Sequence, residues 1–366
     1  MSKEFSIRDT NICKGIAIVF MVLHHLIACF YNSFDLSWYI STAIDKFGGT
    51  SLYVFLPILF LSTAGKVCVS LLSILSGYGI TKKYIKFGGR DIKFDIKYVL
   101  SRIIKFYSIY IPVFVFLFIY NFIFEWNCSF KNIVMYYCGS DNIFNFIMYF
   151  IFDIFGLYIL TKTNSIIQTW YVFAIMIYYV LFPLLYRLVE KYKYLFILIC
   201  CIPWIIIMIF GGSKPDAFYS YLGDFSLGIL FARFGILDNI KNNINIKNKL
   251  ISTIVLFISF VLRLIFSLPM DSLFAVSIII FEIEMLSNTK YISHILSKLG
   301  IYSANIWLIH IFIKFRFINN IALKYLSIMI LCFLFSYVIE FIKEKTGFNA
   351  ITKTIINKIL ASRKLS

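Results

Sequence analysis

The sequence predicts an all-α fold: a polytopic integral membrane bundle of about ten transmembrane helices, with one or two re-entrant or interfacial helices. Three observations predict it. Of 366 residues, 61% are hydrophobic, where soluble domains run at about 45–50%. Only 14% are charged and the mean hydropathy is +0.86, so no soluble surface could cover the apolar excess. The basic residues gather between alternate apolar runs, as positive-inside loops do. That pattern also accounts for the net charge of +17 without any nucleic-acid partner. The expected organisation is one transmembrane domain, 1–342, followed by a basic amphipathic tail, 343–366, lying on the inner leaflet.

A span needs about 20 mostly apolar residues. The runs that supply them are 14–32, 66–86, 104–124, 168–187, 194–210, 218–234, 250–267, 272–288, 298–315 and 324–342. The first has no small-residue cleavage site behind it and is expected to be a signal anchor rather than a removed leader. Two more apolar stretches are broken, 52–63 by Pro57 and 143–160 by Asp153 and Gly156. With the N-terminus inside, the loops 81–105, 187–193 and 233–249 and the C-terminal tail fall inside, and these are the most basic segments. Counting 143–160 as a full span would reverse every later loop, so it and 52–63 are expected to be re-entrant or interfacial. The loop with Lys314, Arg316 and Lys324 then falls outside, against the rule. Six cysteines, Cys13, Cys29, Cys68, Cys200, Cys201 and Cys332, lie in or beside apolar runs as packing residues. Cys128 and Cys138 share one external loop, where pairing is open to them. No His/Cys cluster has metal-site spacing, so no metal is expected.

Ionisable groups inside spans are costly, and each is a candidate functional residue. Lys14 and His25 are eleven residues apart, about three turns, so they share one face of the first span roughly 16 Å apart along its axis. A cation thus stands at the inner end and an imidazole deep in the membrane. Near the start of the ninth span Ser303 and His310 are two turns apart on one face, with Asn305 and Trp307 nearby. By residue count His310 reaches the same depth as His25, which points to a polar cavity. Arg102 and Lys105 are i,i+3 neighbours at the inner mouth of the third span. With Lys14 they could hold a phosphate-bearing ligand, or they could be ordinary flanking charge. Arg263, Glu282 and Glu284 are the remaining charges in spans, and they are taken as structural or of unknown role.

These segments together resemble the membrane-bound acyltransferase 3 family, which modifies bacterial surface polysaccharides and related molecules. Lys14 to His25 resembles its Arg-Gly-Ile-Ala opening followed by an apolar run ending in His. Leu75-Ser76-Gly77-Tyr78 resembles its Leu-Ser-Gly-Phe/Tyr segment, and Arg102 to Lys105 its Arg-x-x-Arg pair. Trp170-Tyr171 with Phe182-Pro183-Leu184-Leu185, Phe225 to Gly228, and Leu299 to His310 are similar to three further segments, in the same order. Lys14 and Lys105 stand where the family usually has Arg, which keeps the charge but loses the bidentate fork. Trp307 stands where it usually has Tyr.

The resemblance implies an O-acyltransferase, most often an O-acetyltransferase, moving an acyl group from cytoplasmic acetyl-CoA to a hydroxyl of a cell-surface glycan. It implies a multi-pass protein of the bacterial plasma membrane with both termini cytoplasmic. Lys14, Arg102 and Lys105 would hold the phosphates of coenzyme A. His25 would be general base or acyl carrier, with His310 and Ser303 orienting the acceptor or stabilising the oxyanion. Trp170, Ser76 and Trp307 would contact substrate, and His24, on another face, would be structural. A different class fits some of the same residues: a transporter or flippase of a lipid-linked glycan also lines its cavity with buried cations and histidines. No pair of half-length inverted spans is visible to support it. A glycan polymerase would call for a long external loop or an acidic motif, and neither stands out.

Overall fold

A computed structural model of the chain describes residues 4–27, 61, 64–88, 91–125, 128–138, 142–157, 170–196, 198, 218–266, 270–287, 289–313 and 321–361. Among them the fold is helical and contains no strand. The expected stretch 52–63 and most of the expected span 194–210 lie outside the described residues, as do Cys29, Cys200, Cys201 and the side chain of Cys138. Cys128 is a free thiol.

Helix α1 (Ile7–Ile27) starts where it does because Ser6 and Asp9 cap it reciprocally. The Asp9 backbone N–H donates to Ser6 Oγ at 3.3 Å, and the Ser6 N–H donates to Asp9 Oδ2 at 2.6 Å, closing a capping box. Helix α2 (Val67–Lys86) follows a 3₁₀ turn at Ala64–Lys66. Helix α3 (Ile92–Phe124) is 33 residues long, about 50 Å. It begins twelve residues before the expected span, so most of the segment read as an inner loop is helix. The reason is aromatic packing. Tyr84 donates to Asp95 Oδ1 at 2.5 Å, and Tyr98 stacks on Phe94 and packs against Tyr84 and Phe182. The basic stretch is thereby folded back onto the bundle instead of running free.

Helix α4 (Phe130–Cys138) and helix α5 (Ile143–Ile154) form a short hairpin. Asn142 caps α5 by accepting from the Phe144 and Asn145 N–H groups, and Gly156 ends it at a φ of +69°. With 12 residues, α5 is about 18 Å long, short of the roughly 30 Å hydrocarbon core. Helix α6 (Trp170–Tyr192) contains Pro183 and α3 contains Pro112. Membrane helices tolerate proline because neighbouring groups re-satisfy the freed carbonyl.

Helix α7 (Leu222–Arg233) leads through Gly235, at a φ of +62°, into the short helix α8 (Ile236–Asn242). Helix α9 (Ile246–Phe266) is joined to helix α10 (Asp271–Phe281) by a buried ion pair from Arg263 to Asp271. Arg263 is therefore half of a charge pair, as a buried arginine in a span must be. A π turn at Glu282–Leu286 ends α10 and buries Glu282 and Glu284. The expected ninth span is a broken helix: α11 (Lys290–Ile301) and α12 (Ser303–Ile309), interrupted at Tyr302. Helix α13 (Ile321–Lys345) and the basic helix α14 (Phe348–Ala361) complete the fold, and α14 packs on α3.

Among the described residues four helices are long and apolar enough to cross a membrane: Ile92–Phe124, Trp170–Tyr192, Ile246–Ile265 and Leu323–Lys345. The expected count was about ten. The other candidates carry too many polar residues, as α1 and α2 do, or are too short, as α7, α10, α11 and α12 are. Helices α1, α2, α7 and α10 pack inside. The apolar α3, α9 and α13 present bands of exposed Ile, Leu, Val and Phe, as a lipid-facing surface requires.

Two helix pairs form the centre, α1 with α11 and α2 with α7. In each, glycines let the backbones touch. A β-carbon on Gly15 would overlap the Leu296 carbonyl, and one on Gly300 the Asn11 carbonyl. One on Gly77 would overlap the Phe225 carbonyl, and one on Gly228 the Ile74 carbonyl. Small residues at such crossings supply the close packing that holds helices together in lipid, where the hydrophobic effect cannot. Gly79, one turn-face away on α2, has nothing within 4 Å. Gly228→Val should therefore destabilise the protein by about 2 kcal/mol or more by overpacking, seen as a lower melting temperature in detergent. Gly79→Ala should leave it unchanged or slightly raised. Equal effects at the two positions would refute the role given to the crossing.

Candidate active site

Helices α1 and α11–α12 run side by side in one direction and in register. The Arg8 guanidinium donates to Ser293 Oγ at 2.9 Å across a sequence separation of 285 residues. The glycine contacts, Gly15 on Leu296 and Gly300 on Asn11, lie on either side of that offset, and His25 against His310 repeats it. From the glycine crossing each chain rises ten residues, about 15 Å, to its histidine. The rings of His25 and His310 meet edge to face with centroids 4.7 Å apart.

Each imidazole is held by its Nδ1. His25 Nδ1 lies 3.0 Å from the Met21 carbonyl and His310 Nδ1 2.8 Å from the Trp307 carbonyl. A carbonyl can only accept, so each Nδ1 carries the proton and each Nε2 is left as the basic nitrogen. His310 Nε2 is buried without a partner among the described residues. The His24 ring meets the His25 ring edge to face at 5.4 Å, and its β-carbon packs against Gly65.

At the other end of α1, Lys14 stands among three further cations, Lys83 of α2 and Arg102 and Lys105 of α3. The Arg102 guanidinium lies 4.8 Å over the Tyr98 ring. The acids at this end are already committed. Asp9 pairs with Lys241, Asp95 with Arg187, Asp238 with Lys82 at 2.7 Å, and Glu190 with Arg233 at 2.6 Å. Among the described residues Lys14, Lys83, Arg102 and Lys105 form no ion pair. Four cations from three helices with no acid between them make a site for a multiply charged anion.

Hydroxyls and rings lie between the two ends. Ser76 Oγ is 3.3 Å from the Tyr179 hydroxyl, which neighbours Arg102. Ser73 Oγ is 3.2 Å from the Tyr171 hydroxyl. The Tyr171 ring packs on Trp307 at 5.3 Å and on Trp170 at 5.7 Å. Trp307 in turn supplies the carbonyl that holds His310. A polar line thus runs from the cations to the imidazoles along the α2–α6 face. Ser303 is set apart from this line. It opens α12, about 10 Å along the axis from His310, and is buried there without a contact to either imidazole. Asn305, also in that segment, donates to Glu340 at 3.1 Å.

A family model, the acyltransferase domain of the acyltransferase 3 type, matches residues 7–342. The chain belongs to the acyltransferase 3 family. It is an acyltransferase on that ground, and its apolar helices make it a membrane protein. Comparisons with curated proteins and with solved structures give no match.

Of the residues singled out from sequence, the fold brings His25 to His310, Lys14 to Arg102 and Lys105, and Trp170 and Trp307 to a common tyrosine. It leaves Ser303 apart. Lys83, Tyr171 and Tyr179 join the candidate site without having been singled out as site residues. Lys83 had the same signal as Lys105 but was assigned to a loop. The two tyrosines were hidden among the 25 of this chain. Lys83→Gln should weaken binding of inorganic pyrophosphate about as much as Lys14→Gln does, some threefold to tenfold, as loss of one charge-assisted contact implies. Lys290→Gln, at an exposed cation over Tyr291, should not. Titration calorimetry in detergent at low salt reads this. Unchanged affinity in Lys83→Gln would remove that residue from the site.

Proposed function

We propose that this acyltransferase moves an acyl group, most often acetyl, from cytoplasmic acetyl-CoA to a hydroxyl of a cell-surface polysaccharide. On this reading it lies in the bacterial plasma membrane with about ten spans and both termini cytoplasmic. The four-cation end then faces the cytoplasm and the histidine pair lies deeper. The observation that carries the proposal is the contact of His25 with His310, on a helix whose opposite end bears Lys14 in an acid-free cation cluster.

Lys14, Lys83, Arg102 and Lys105 would bind the phosphates of the donor, and its thioester arm would follow the polar line toward the imidazoles. His25 Nε2 takes the proton from the acceptor hydroxyl as the oxygen attacks the thioester carbonyl. The carbon–sulfur bond breaks, and the proton passes from His25 to the departing thiolate. Proton and acyl group are then both accounted for, and no outside reductant or oxidant is needed. His310, ring to ring with His25 and fixed by the Trp307 carbonyl, holds the base in place and offers its own Nε2 as an acceptor to a hydroxyl of the sugar. Ser76, Trp170 and Trp307 would line the passage for substrate.

The test is glycan acetylation in cells carrying wild type or His25→Ala at equal membrane levels. Removing a general base should cost about a hundredfold or more. His24→Ala, whose side chain packs on Gly65, should keep most of the activity. Unchanged acetylation in His25→Ala would overturn the mechanism. A change in glycan export without a change in acetylation would favour transport instead.

A further inference from the structure

The histidine end of the bundle holds a second set of buried polar groups that the transfer step does not use. Asp224 stands in the first turn of α7 and Asp271 begins α10. They are 3% and 2% exposed and are electrostatic neighbours of each other. Asp271 is ion-paired to Arg263, which is equally buried. Ser70 and Ser272 lie beside Asp224.

The cluster is linked to the imidazoles on two sides through intervening residues. Lys66, which ends the 3₁₀ turn before α2, neighbours both Asp271 and His25. Tyr171 neighbours Asp224, and its ring packs on Trp307, which holds His310. Lys66 itself forms no ion pair among the described residues.

Two carboxylate oxygens here are left over. Asp224 Oδ1 and Asp271 Oδ2 are shut away from solvent with no hydrogen-bond partner among the described residues. They sit on different helices of one cluster. His310, 5% exposed, adds a third unpartnered atom, Nε2. Ser70 Oγ, beside Asp224, is a fourth. Polar atoms buried without partners are costly, and these four, three acceptors and a hydroxyl, define what is missing. The complement is a ligand bearing several O–H donors on a compact frame. A metal ion fits poorly, because Lys66 and Arg263 already bring positive charge to the two carboxylates.

We propose that Asp224 and Asp271, with Lys66, form the acceptor subsite and recognise a polyhydroxylated, sugar-type acceptor. The two free oxygens accept hydrogens from two of its hydroxyls and present a third to His25. Arg263 fixes Asp271 so that one oxygen stays free for the ligand. This rests on the acyl-transfer function proposed above.

The experiment uses the full chain in nanodiscs with acetyl-CoA as donor and two probe acceptors, octyl glucoside and octanol, which share a tail and differ in hydroxyl number. Wild type should favour the glucoside. Asp224→Asn and Asp271→Asn should each cut the ratio of kcat/KM for glucoside over octanol by about tenfold or more, as loss of a charged hydrogen bond to substrate implies. The Kd for acetyl-CoA should hold. Equal loss toward both acceptors, an unchanged ratio, or no preference in wild type would each overturn the subsite. Should Asp271→Asn fail to fold for want of its partner to Arg263, Asp224→Asn decides alone, because Asp224 forms no ion pair among the described residues. A wild type that neither binds acetyl-CoA nor acetylates either probe would refute acyl transfer itself, and the subsite with it.

Discussion

The backbone contact between α1 and α11 at Gly15 and Gly300 sets the geometry on which the site depends. Two parallel helices can keep equal heights over ten residues only if their crossing point is fixed, and here it is fixed by carbonyls where side chains would otherwise stand. Because both helices rise at the same rate, a shared origin delivers His25 and His310 to the same depth. The same crossing leaves Lys14 one position below Gly15, at the basic end. One contact thus determines both ends of the site. The α2–α7 crossing at Gly77 and Gly228 does the same for the second pair, placing Ser73 and Ser76 on one side and Asp224 on the other. In lipid this is the expected economy, since close packing is the force that can hold polar helices in register.

The second constraint is the cost of a polar atom in a dry interior. Most of the buried groups in the acyltransferase meet it by pairing: Arg263 with Asp271, Tyr84 with Asp95, Lys343 with Glu340 at 2.7 Å, Tyr110 with the Asp153 carbonyl at 2.7 Å. Among the described residues the exceptions are few, and apart from Ser70 and Asn305 they lie at two places. One is the histidine end, with His310, Asp224 and Asp271. The other is the π turn, where Glu282 and Glu284 each keep an unpartnered oxygen. Glu282 there accepts weakly from Cys13 at 3.9 Å and neighbours Lys241 and Arg8, so its charge is balanced locally. At the histidine end Arg263 and Lys66 bring the balancing charge to Asp271, and what sets it apart is that its unpartnered atoms come from several helices.

Spacing within one helix was legible in the sequence. The eleven-residue step from Lys14 to His25 and the i,i+3 step from Arg102 to Lys105 need only the helical period, and both stand as expected. The matching depth of His25 and His310 was also legible, since counting from a common surface is what two parallel helices do. Ser303 shows where counting fails. Its seven-residue spacing puts it on the face of His310, but a shared face two turns apart is not a contact. The break at Tyr302 further separates the start of the segment from its end. The span count is not confirmed for a related reason. Hydropathy detects long apolar helices such as α3 and α6, and α1, α2 and α7, which carry the rest of the site, are polar or short. Lys82, Lys83 and Lys86 make the end of α2 look like a loop, although they continue the helix.

The distance between the two ends bears on what the site is for. A transporter has no need to keep its anion-binding groups a fixed 16 Å or so from a pair of imidazoles on the same rigid helix, because its cargo moves past them. A donor that carries its charge on phosphates and its reactive carbonyl on a long arm needs that separation held constant. The charged end must grip while the other end reacts. Such a site works only if the helix between the two points cannot slide. Gly15 lies between them, pressed on the backbone of α11, and a slide of even one turn would part His25 from His310. The crossing that holds the bundle together thus also works as the ruler that the proposed transfer requires.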